Sequence, residues 1–291
     1  GYIDNIRRPR TYYENAADLG IITPPVIADN AAFVGKNLND ATTYGGRAAL
    51  KVDLDDNWTV TPTVLYQNMK SDGVFGYYPD LGELKTDRFQ DEFRNDKFVQ
   101  AALTIEGKIG NWDLTYAGAY LDRKTASLTD YTDYADAYDD LYSQAGVGGL
   151  AYFYYLDSAG NFIDPRQYIR ASDHFTKMSQ EVRIASPADK PLRLLVGAFY
   201  QRQTNDIFQN YLIDGLAPNL SVNGRPGTLW LTKQEREDKD YALFGELSWD
   251  ITPQFTLTGG GRLFRYDNSL FGFFGFGRDP NGPPFNGAGS S

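Results

Sequence analysis

The sequence predicts an all-β protein, and more specifically an antiparallel transmembrane β-barrel segment with about eight to nine long strands. Two observations lead to this prediction. Apolar and polar residues alternate with period two through eight separate stretches of roughly ten to thirteen residues. The connections between successive stretches are alternately short and long. Helical periodicity is almost absent.

Each stretch places apolar or aromatic residues on one face and mostly polar residues on the other. In the second stretch, for example, Trp58, Val60 and Val64 share a face, while threonines fill the opposite face. A mid-strand proline in this stretch, Pro62, removes a hydrogen-bond donor from the ladder. The eight stretches are 43–53, 58–69, 97–107, 112–124, 175–186, 192–203, 240–250 and 255–268.

The connections have the lengths of a membrane barrel. Four of them contain four or five residues of turn composition, at 54–57, 108–111, 187–191 and 251–254. The other three contain about 27, 50 and 36 residues, at 70–96, 125–174 and 204–239. Compact soluble domains rarely carry three such loops. Outer-membrane barrels combine short periplasmic turns with long extracellular loops, so we predict that arrangement.

Large aromatic rings mark both ends of the apolar faces. In three stretches a Trp beside a short turn and a Tyr toward a long loop are eight residues apart, as in Trp58 and Tyr66. Eight residues span about 26 Å, or roughly 20 Å along the normal of a membrane that the strand crosses at about 40°. Alternation alone leaves a soluble β-sandwich open, but matching ring heights favour a membrane girdle. We predict the girdle residues Tyr44, Trp58, Tyr66, Trp112, Tyr120, Tyr200, Tyr241 and Trp249.

Composition excludes several functional classes. The 291 residues carry a net charge of −10, no Cys and a single His, His174, which we place at the surface before the fifth stretch. Disulfide frameworks, thiolate chemistry and His-based metal sites are therefore excluded. An acidic chain without a basic face is unsuited to nucleic acid. No nucleophile elbow or phosphate loop is present, so we expect no enzyme activity, no metal and no cofactor.

Three phrases carry a family resemblance. They are YGGRAALKV at 44–52, SQEVRIAS at 179–186 with LVGAFY at 195–200, and YALFGELSW at 241–249 with LTGGGR at 257–262. Together, over most of 1–270, they resemble the barrel half of TonB-dependent outer-membrane receptors. That resemblance implies a barrel of about 22 strands in a Gram-negative outer membrane, with a plug domain inside it. It also implies uptake of a scarce solute (an iron chelate, vitamin B12 or an oligosaccharide) driven by the TonB complex.

Neither a plug nor a TonB-box peptide is visible in the sequence. We therefore expect residues 1–291 to be a partial barrel domain from such a receptor, with plug and both ends missing. Its expected partners are outer-membrane lipid, the parent protein's plug and, through it, the TonB complex, and a small-molecule or oligosaccharide ligand. The alternative is a self-contained eight-stranded barrel with a structural or surface-binding role, which requires the first and last strands to pair.

The candidate ligand-binding residues lie in the predicted outer loops. The stretch 129–142 interleaves five Asp with four Tyr. Tyr faces can stack on sugars or aromatic ligands, and carboxylates accept hydroxyl or cationic groups. A solvated acidic loop explains the same composition. The cluster at 152–155 is predicted to begin a small hairpin, and Trp230 and 233–239 are assigned to an exposed loop edge. The candidates are Tyr131, Asp133, Tyr134, Asp136, Tyr138, Tyr152, Tyr154 and Trp230.

Overall fold

A computed structural model describes residues 1–13, 25–134, 136–137, 155–222 and 224–276. Its centre is one large antiparallel sheet in which the long strands follow one another in chain order. The strands are β1 (Asp4–Asn5), β2 (Arg10–Tyr12), β3 (Val26–Ala28), β4 (Ala41–Ala49), β5 (Val52–Asp53), β6 (Thr59–Asp72), β7 (Lys85–Thr86), β8 (Phe93–Ile109), β9 (Trp112–Asp130), β10 (Tyr168–Ala185), β11 (Leu192–Leu212), β12 (Thr228–Thr252) and β13 (Phe255–Phe276). Two single-turn 3₁₀ helices occupy Ala31–Phe33 and Pro79–Leu81.

The large sheet confirms the all-β prediction. Its order is β4-β6-β8-β9-β10-β11-β12-β13, with the short β5 pairing β6 beside β4. Every one of the eight predicted stretches is a strand of this sheet. The short turns are also where the sequence places them. At one of them Gly110 has a φ of 63°, a conformation that glycine adopts without strain.

The strands are longer than the sequence pattern indicates. β12 has 25 residues, which corresponds to about 80 Å, although crossing a membrane takes about 9–11 residues. The added length lies on the long-loop side, so the predicted loop 204–239 is mostly strand and only 213–227 connects β11 to β12. The prediction failed there because apolar and polar residues do not alternate regularly in these extensions, as in Ile207-Phe208 and Tyr211-Leu212 of β11. Backbone pairing continues without apolar alternation.

The proline in β6 has a local effect on the edge of the sheet. The carbonyl of Pro62 accepts a hydrogen bond from the Leu50 amide at 3.1 Å. In an antiparallel pair the return bond would come from the amide at position 62, which proline lacks. The edge strand is accordingly divided into β4 and β5 at Leu50 and Lys51, while pairing of β6 with β8 is continuous.

The sheet forms a single layer and is not closed. β4 and β13 lie at opposite ends of the strand order and do not pair with each other. In the described residues, the buried apolar side chains other than Ala242 belong to the long-loop end. One cluster there contains Tyr12, Tyr13, Ala28 and Phe89, and a second contains Ile213, Leu216 and Leu229. The described part of the chain has no helix with the length and apolarity needed to traverse a bilayer.

Candidate functional site

The apolar face of the sheet is uncovered. Leu243 is 63% exposed and its neighbours on the same face, Val182, Val196 and Leu247, are also exposed. Cross-strand pairing joins such residues into rows, for example Val182 with Ala198 and Ala198 with Leu243. A β-sandwich would bury these rows under a second sheet. The structure has no such layer in the described residues, so this face is one continuous exposed apolar surface.

Aromatic rings lie along both borders of this surface. The rings of Tyr44 and Tyr66 are 6.4 Å apart, and those of Tyr200 and Tyr241 are 5.1 Å apart, so the tyrosines pair across strands. Trp249 pairs with Leu192 at the short-turn end. Strand register places all eight predicted girdle residues on the apolar face, with Trp toward the short turns and Tyr toward the long loops. Their role as a membrane girdle stays a prediction.

A glycine makes room for one of these rings. A Cβ added to Gly107 would come within 2.2 Å of the Trp58 ring, which lies over this glycine from the neighbouring strand. At Gly46, on the same face, nothing lies within 4 Å of such a Cβ. The position of Trp58 therefore depends on the absence of a side chain at Gly107.

The opposite face is mainly polar, and several of its charges are paired with near neighbours. Arg193 Nη2 lies 2.8 Å from Asp250 Oδ1, and Arg262 Nη2 lies 3.3 Å from Asp240 Oδ2. Phe244 covers Gly197 on this face. A polar face of paired charges fits the hydrated inner wall of a barrel.

Three segments meet at the long-loop end: the N-terminal residues before β4, the connection 73–92 and the described part of 131–167. β1 pairs in parallel with β7, which lies in the second segment. Asn5 reinforces this pairing because its Nδ2 donates to the carbonyl oxygens of Phe33 at 2.7 Å and of Arg88 at 2.8 Å. These contacts bring residues distant in sequence into one cluster.

Arg10 is the centre of this cluster. Its Nη2 lies 3.0 Å from Asp87 Oδ2 and 2.8 Å from Asp133 Oδ1, and its Nη1 contacts Asp136. The Arg10 side chain is 18% exposed and that of Asp87 is 2% exposed. Burial opposes the charge on Arg10, but the hydrogen bond with Asp133 and the attraction of Asp136 outweigh it and raise the pKa of Arg10. We call Arg10, Asp87, Asp133 and Asp136 the Arg10 cluster.

Two tyrosines and a second arginine complete the surroundings of these carboxylates. Tyr12 donates to Asp136 Oδ1 at 2.9 Å, and Tyr78 donates to Asp133. Arg88 Nη1 lies 3.2 Å from Asp133 Oδ2. Burial would raise the pKa of Asp133, but its hydrogen bonds with Tyr78 and Arg10 outweigh burial and lower it. For Asp136, burial is the larger effect and its pKa is raised.

Asp133 and Asp136, both predicted as ligand-binding residues, therefore lie together, but Arg10 already forms ion pairs with them. The guanidinium of Arg10 stands where a bound cation would neutralise them. In the described ranges, no group of three or more His, Asp or Glu side chains has the arrangement of a metal site. A cleft of about 430 Å³ opens beside the cluster and is lined by Arg8, Pro9, Arg10, Tyr78, Asp87, Asp133 and Asp136. Such a surface offers both charges and a phenol ring to a polar ligand.

A buried carboxylate, Glu92, lies behind this cleft. It is 8% exposed, accepts the Asp130 amide at 2.9 Å through Oε1, and has the Arg88 Nε 3.7 Å from its Oε2. Burial raises its pKa to about 7, although the charge of Arg88 opposes that shift. Glu92 also lines a second cleft of about 430 Å³ with Arg88, Thr86 and Asn5.

The predicted tyrosines Tyr131 and Tyr134 also come together. Their rings stack with centroids 4.4 Å apart, and Tyr131 meets Tyr211 edge-on at 5.2 Å. Tyr134 remains 46% exposed, which leaves part of its ring available to a ligand. Three other candidates, Tyr138, Tyr152 and Tyr154, lie outside the described residues. Beyond them, the bridge between Leu156 and Phe162 agrees with the predicted hairpin.

The placement of Trp230 in an outer loop was wrong. It is the third residue of β12, and its ring contacts Phe274 at 6.0 Å and Phe276 at 4.6 Å on β13. The segment 233–239 likewise belongs to β12. Pairing with β13 fixes this region as a long hairpin that extends beyond the apolar face.

His174 was predicted at the surface before the fifth stretch, and its side chain is 38% exposed. It lies within β10, and its Nε2 is 3.0 Å from Asp122 Oδ2 on β9. Nothing in the sequence indicates this partner, because the two residues are 52 positions apart. Arg10, Asp87, Arg88 and Glu92 were missed for the same reason. No periodicity or motif marks them, and only the folded loops bring them to the predicted acidic stretch.

The single open antiparallel sheet, with its long strands in hairpin order, has an all-β fold similar to that of a β-barrel receptor. Among solved structures, the chain is similar to the ferric yersiniabactin uptake receptor FyuA from Yersinia pestis, with a TM-score of 0.60 over 83% of this chain. The sequence identity is 13%, so this similarity concerns the fold. The chain covers 32% of that receptor. No family model matches the chain, and neither does any curated protein.

Proposed function

We propose that this chain is part of an outer-membrane receptor of a Gram-negative bacterium that imports a scarce solute with energy from the TonB complex. The observation that carries the proposal is the exposed apolar surface bordered by two rows of rings, with polar residues on the opposite face. Such a sheet is stable in lipid only as part of a closed barrel, because unpaired edge groups in hydrocarbon cost several kcal/mol each.

The proposed ligand site is the long-loop end. The Arg10 cluster and the stacked Tyr131 and Tyr134 offer charge, hydrogen bonds and an exposed aromatic face within one region. This chemistry suits a polar solute with hydroxyl or carboxylate groups and a flat hydrophobic portion, such as an iron chelate, vitamin B12 or an oligosaccharide. FyuA, whose fold is similar, is an uptake receptor for ferric yersiniabactin. We propose binding and transport without catalysis.

The alternative is a self-contained eight-stranded barrel with a structural or surface-binding role. It requires β4 to pair with β13, and the structure shows no such pairing. Small polar-face residues such as Gly45, Ala49 and Gly260 also favour a wide interior over one filled by side chains. These observations support the larger receptor barrel.

Solute uptake by whole cells tests the proposal. Cells that carry the protein are compared with cells that lack it and with cells that lack the TonB complex, using labelled ferric chelates, vitamin B12 and oligosaccharides. We expect uptake of one class to require both the protein and the TonB complex. Uptake that persists without the TonB complex would contradict active import. Equal uptake of every class with and without the protein would contradict a transport role.

A variant pair then tests the site. Tyr134→Ala removes a ring that is 46% exposed beside Tyr131, and Tyr77→Ala removes a 44% exposed ring elsewhere in the loops. Removal of an aromatic side chain that stacks on a nucleic-acid base reduces affinity by about 1–3 kcal/mol, which serves here as the scale for one stacked ring. We therefore expect Tyr134→Ala to weaken solute binding at least about fivefold and Tyr77→Ala to leave it unchanged. Equal effects would place the site elsewhere.

A further inference from the structure

Three lysines lie together on the outward face of the sheet without a counter-ion among the described residues. Lys97 on β8 is directly opposite Lys124 on β9. Lys70 on β6 is diagonal to Lys97, because Asn68 is the residue opposite Lys97. All three are exposed, and none makes an ion pair with a described residue. We call Lys70, Lys97 and Lys124 the lysine patch.

The arrangement is unfavourable for the sheet itself. Directly opposed residues have Cβ atoms about 4.5–5.5 Å apart, and like charges at that separation destabilise the strand pair. On β6, β8 and β9, two carboxylates share the face. Asp122 is bound to His174 Nε2 at 3.0 Å, and Asp72, two residues beyond Lys70 at the end of β6, makes no ion pair with a described residue. Neither carboxylate comes within 4 Å of a lysine of the patch.

Cations at the same height on other strands do have partners. Arg202 and Lys239 both contact Glu237, and Arg265 Nε lies 3.1 Å from Asp267 Oδ1. At this height on the outward face, the cations without an ion pair to a described residue are those on β6, β8 and β9. This contrast indicates that the patch has an anionic partner outside the chain.

The height of the patch on the sheet identifies that partner. Lys97 is two residues beyond Val99, which lies opposite the girdle tyrosine Tyr66. Lys124 is four residues beyond Tyr120 on the same face. Groups just beyond an aromatic girdle lie at the level of lipid headgroups. The anions available there are lipid phosphates, and lysine side chains bind phosphate as flexible point charges.

We propose that the lysine patch binds the phosphorylated headgroup of an outer-leaflet lipid. This inference rests on the proposed function, because it requires the apolar face to lie in the membrane. Each lysine near an anionic lipid surface contributes about a fivefold change in affinity. Loss of Lys97 and Lys124 together should therefore weaken binding about 30-fold. Added salt should weaken wild-type binding as well.

The test is a titration of the protein, purified from outer membranes in a neutral detergent, with diphosphoryl lipid A. Lys97→Gln/Lys124→Gln is compared with Lys239→Gln, which removes a paired cation at a similar height. We expect saturable binding by the wild type, about 30-fold weaker binding by the double variant and little change for Lys239→Gln. Dephosphorylated lipid A should bind weakly, and inorganic phosphate should not compete.

Each other outcome overturns the inference in a distinguishable way. If the wild type and the double variant bind diphosphoryl lipid A with equal affinity, the lysine patch does not bind a lipid phosphate. The same conclusion follows if the wild type binds the phosphorylated and dephosphorylated forms of lipid A equally. Competition by inorganic phosphate would show a site for free anions. Insertion into pure phosphatidylcholine vesicles provides the separate control. If the wild type fails to insert, the proposed membrane function fails, and this inference fails with it.

Discussion

Replacement of Val196 by arginine would place a charge at the centre of the exposed apolar surface. Val196 is 39% exposed and lies opposite Gly245 on β12. Gly245 is four residues from both Tyr241 and Trp249, so each aromatic border is about 10 Å away along the membrane normal. Snorkelling of the arginine toward either border can relieve only part of the cost.

The magnitude follows from this depth. Arginine on the lipid side of a membrane barrel costs about 2–4 kcal/mol at the midplane. That corresponds to a decrease of about 30- to 900-fold in the equilibrium between folded and unfolded protein. The matched control is Leu195→Arg, on the neighbouring residue of the same strand. Leu195 faces the polar side, directly opposite Glu246, where a new arginine meets a carboxylate.

Urea-induced unfolding of the protein in phosphatidylcholine vesicles measures the difference. We expect Val196→Arg to lower the free energy of unfolding by about 2–4 kcal/mol and Leu195→Arg to lower it by less than about 1 kcal/mol. If the two variants are destabilised equally, or if Leu195→Arg is the worse, the apolar face does not contact hydrocarbon and the membrane interpretation is wrong.

Three further predictions concern individual contacts. The pKa of Glu92 is about 7 in the folded protein and 4.5 when unperturbed, so its contribution to stability is favourable at low pH and is lost as the pH rises from about 5 through 7. Glu92→Gln should therefore slow hydrogen exchange at the Asp130 amide at about pH 8 and change it little at about pH 5. The opposite pH dependence would contradict the burial of the Glu92 charge. Arg10→Met should destabilise the loop cluster by about 1–3 kcal/mol, because it leaves the buried Asp87 with only the 3.5 Å contact to the exposed Arg8. Limited proteolysis of 73–92 measures this effect, with Arg7→Met, which breaks an exposed pair, as the control that should behave like wild type. Gly107→Ala should displace the Trp58 ring and destabilise the protein by about 1–3 kcal/mol, whereas the control Gly46→Ala should be tolerated. Unchanged Trp58 fluorescence in Gly107→Ala would contradict the packing of this ring against Gly107.

Period-two alternation was sufficient to predict the strands wherever one face is apolar. The stretch 192–203 is the half of β11 next to the short turn, and its alternation places Leu192, Leu194 and Val196 on the same apolar face. Beyond residue 203 the same strand continues to Leu212, but its apolar residues come in adjacent pairs, Ile207-Phe208 and Tyr211-Leu212, and do not alternate with polar ones. Its hydrogen-bond partners on β12 hold it extended, and such pairing leaves no trace in hydrophobic periodicity.

The ligand-binding end was only partly predictable. The Asp and Tyr composition of 129–142 identified Asp133 and Asp136, yet their nearest partner, Arg10, is more than 120 residues earlier in the chain. Electrostatic pairing over such separations depends on how loops cross one another. For that reason Asp133 and Asp136, which could have been solvated, are instead paired with an arginine from the N-terminal segment.

Collision accessibility of spin labels along β11 would test the central claim most directly. The chain contains no Cys, so single cysteines at 193–196 and at 198 can each carry a nitroxide without background labelling. In lipid vesicles the account predicts high accessibility to oxygen at positions 194, 196 and 198, and high accessibility to a water-soluble relaxation agent at 193 and 195. Uniform accessibility to the aqueous agent, or an apolar face shielded from both reagents, would contradict it.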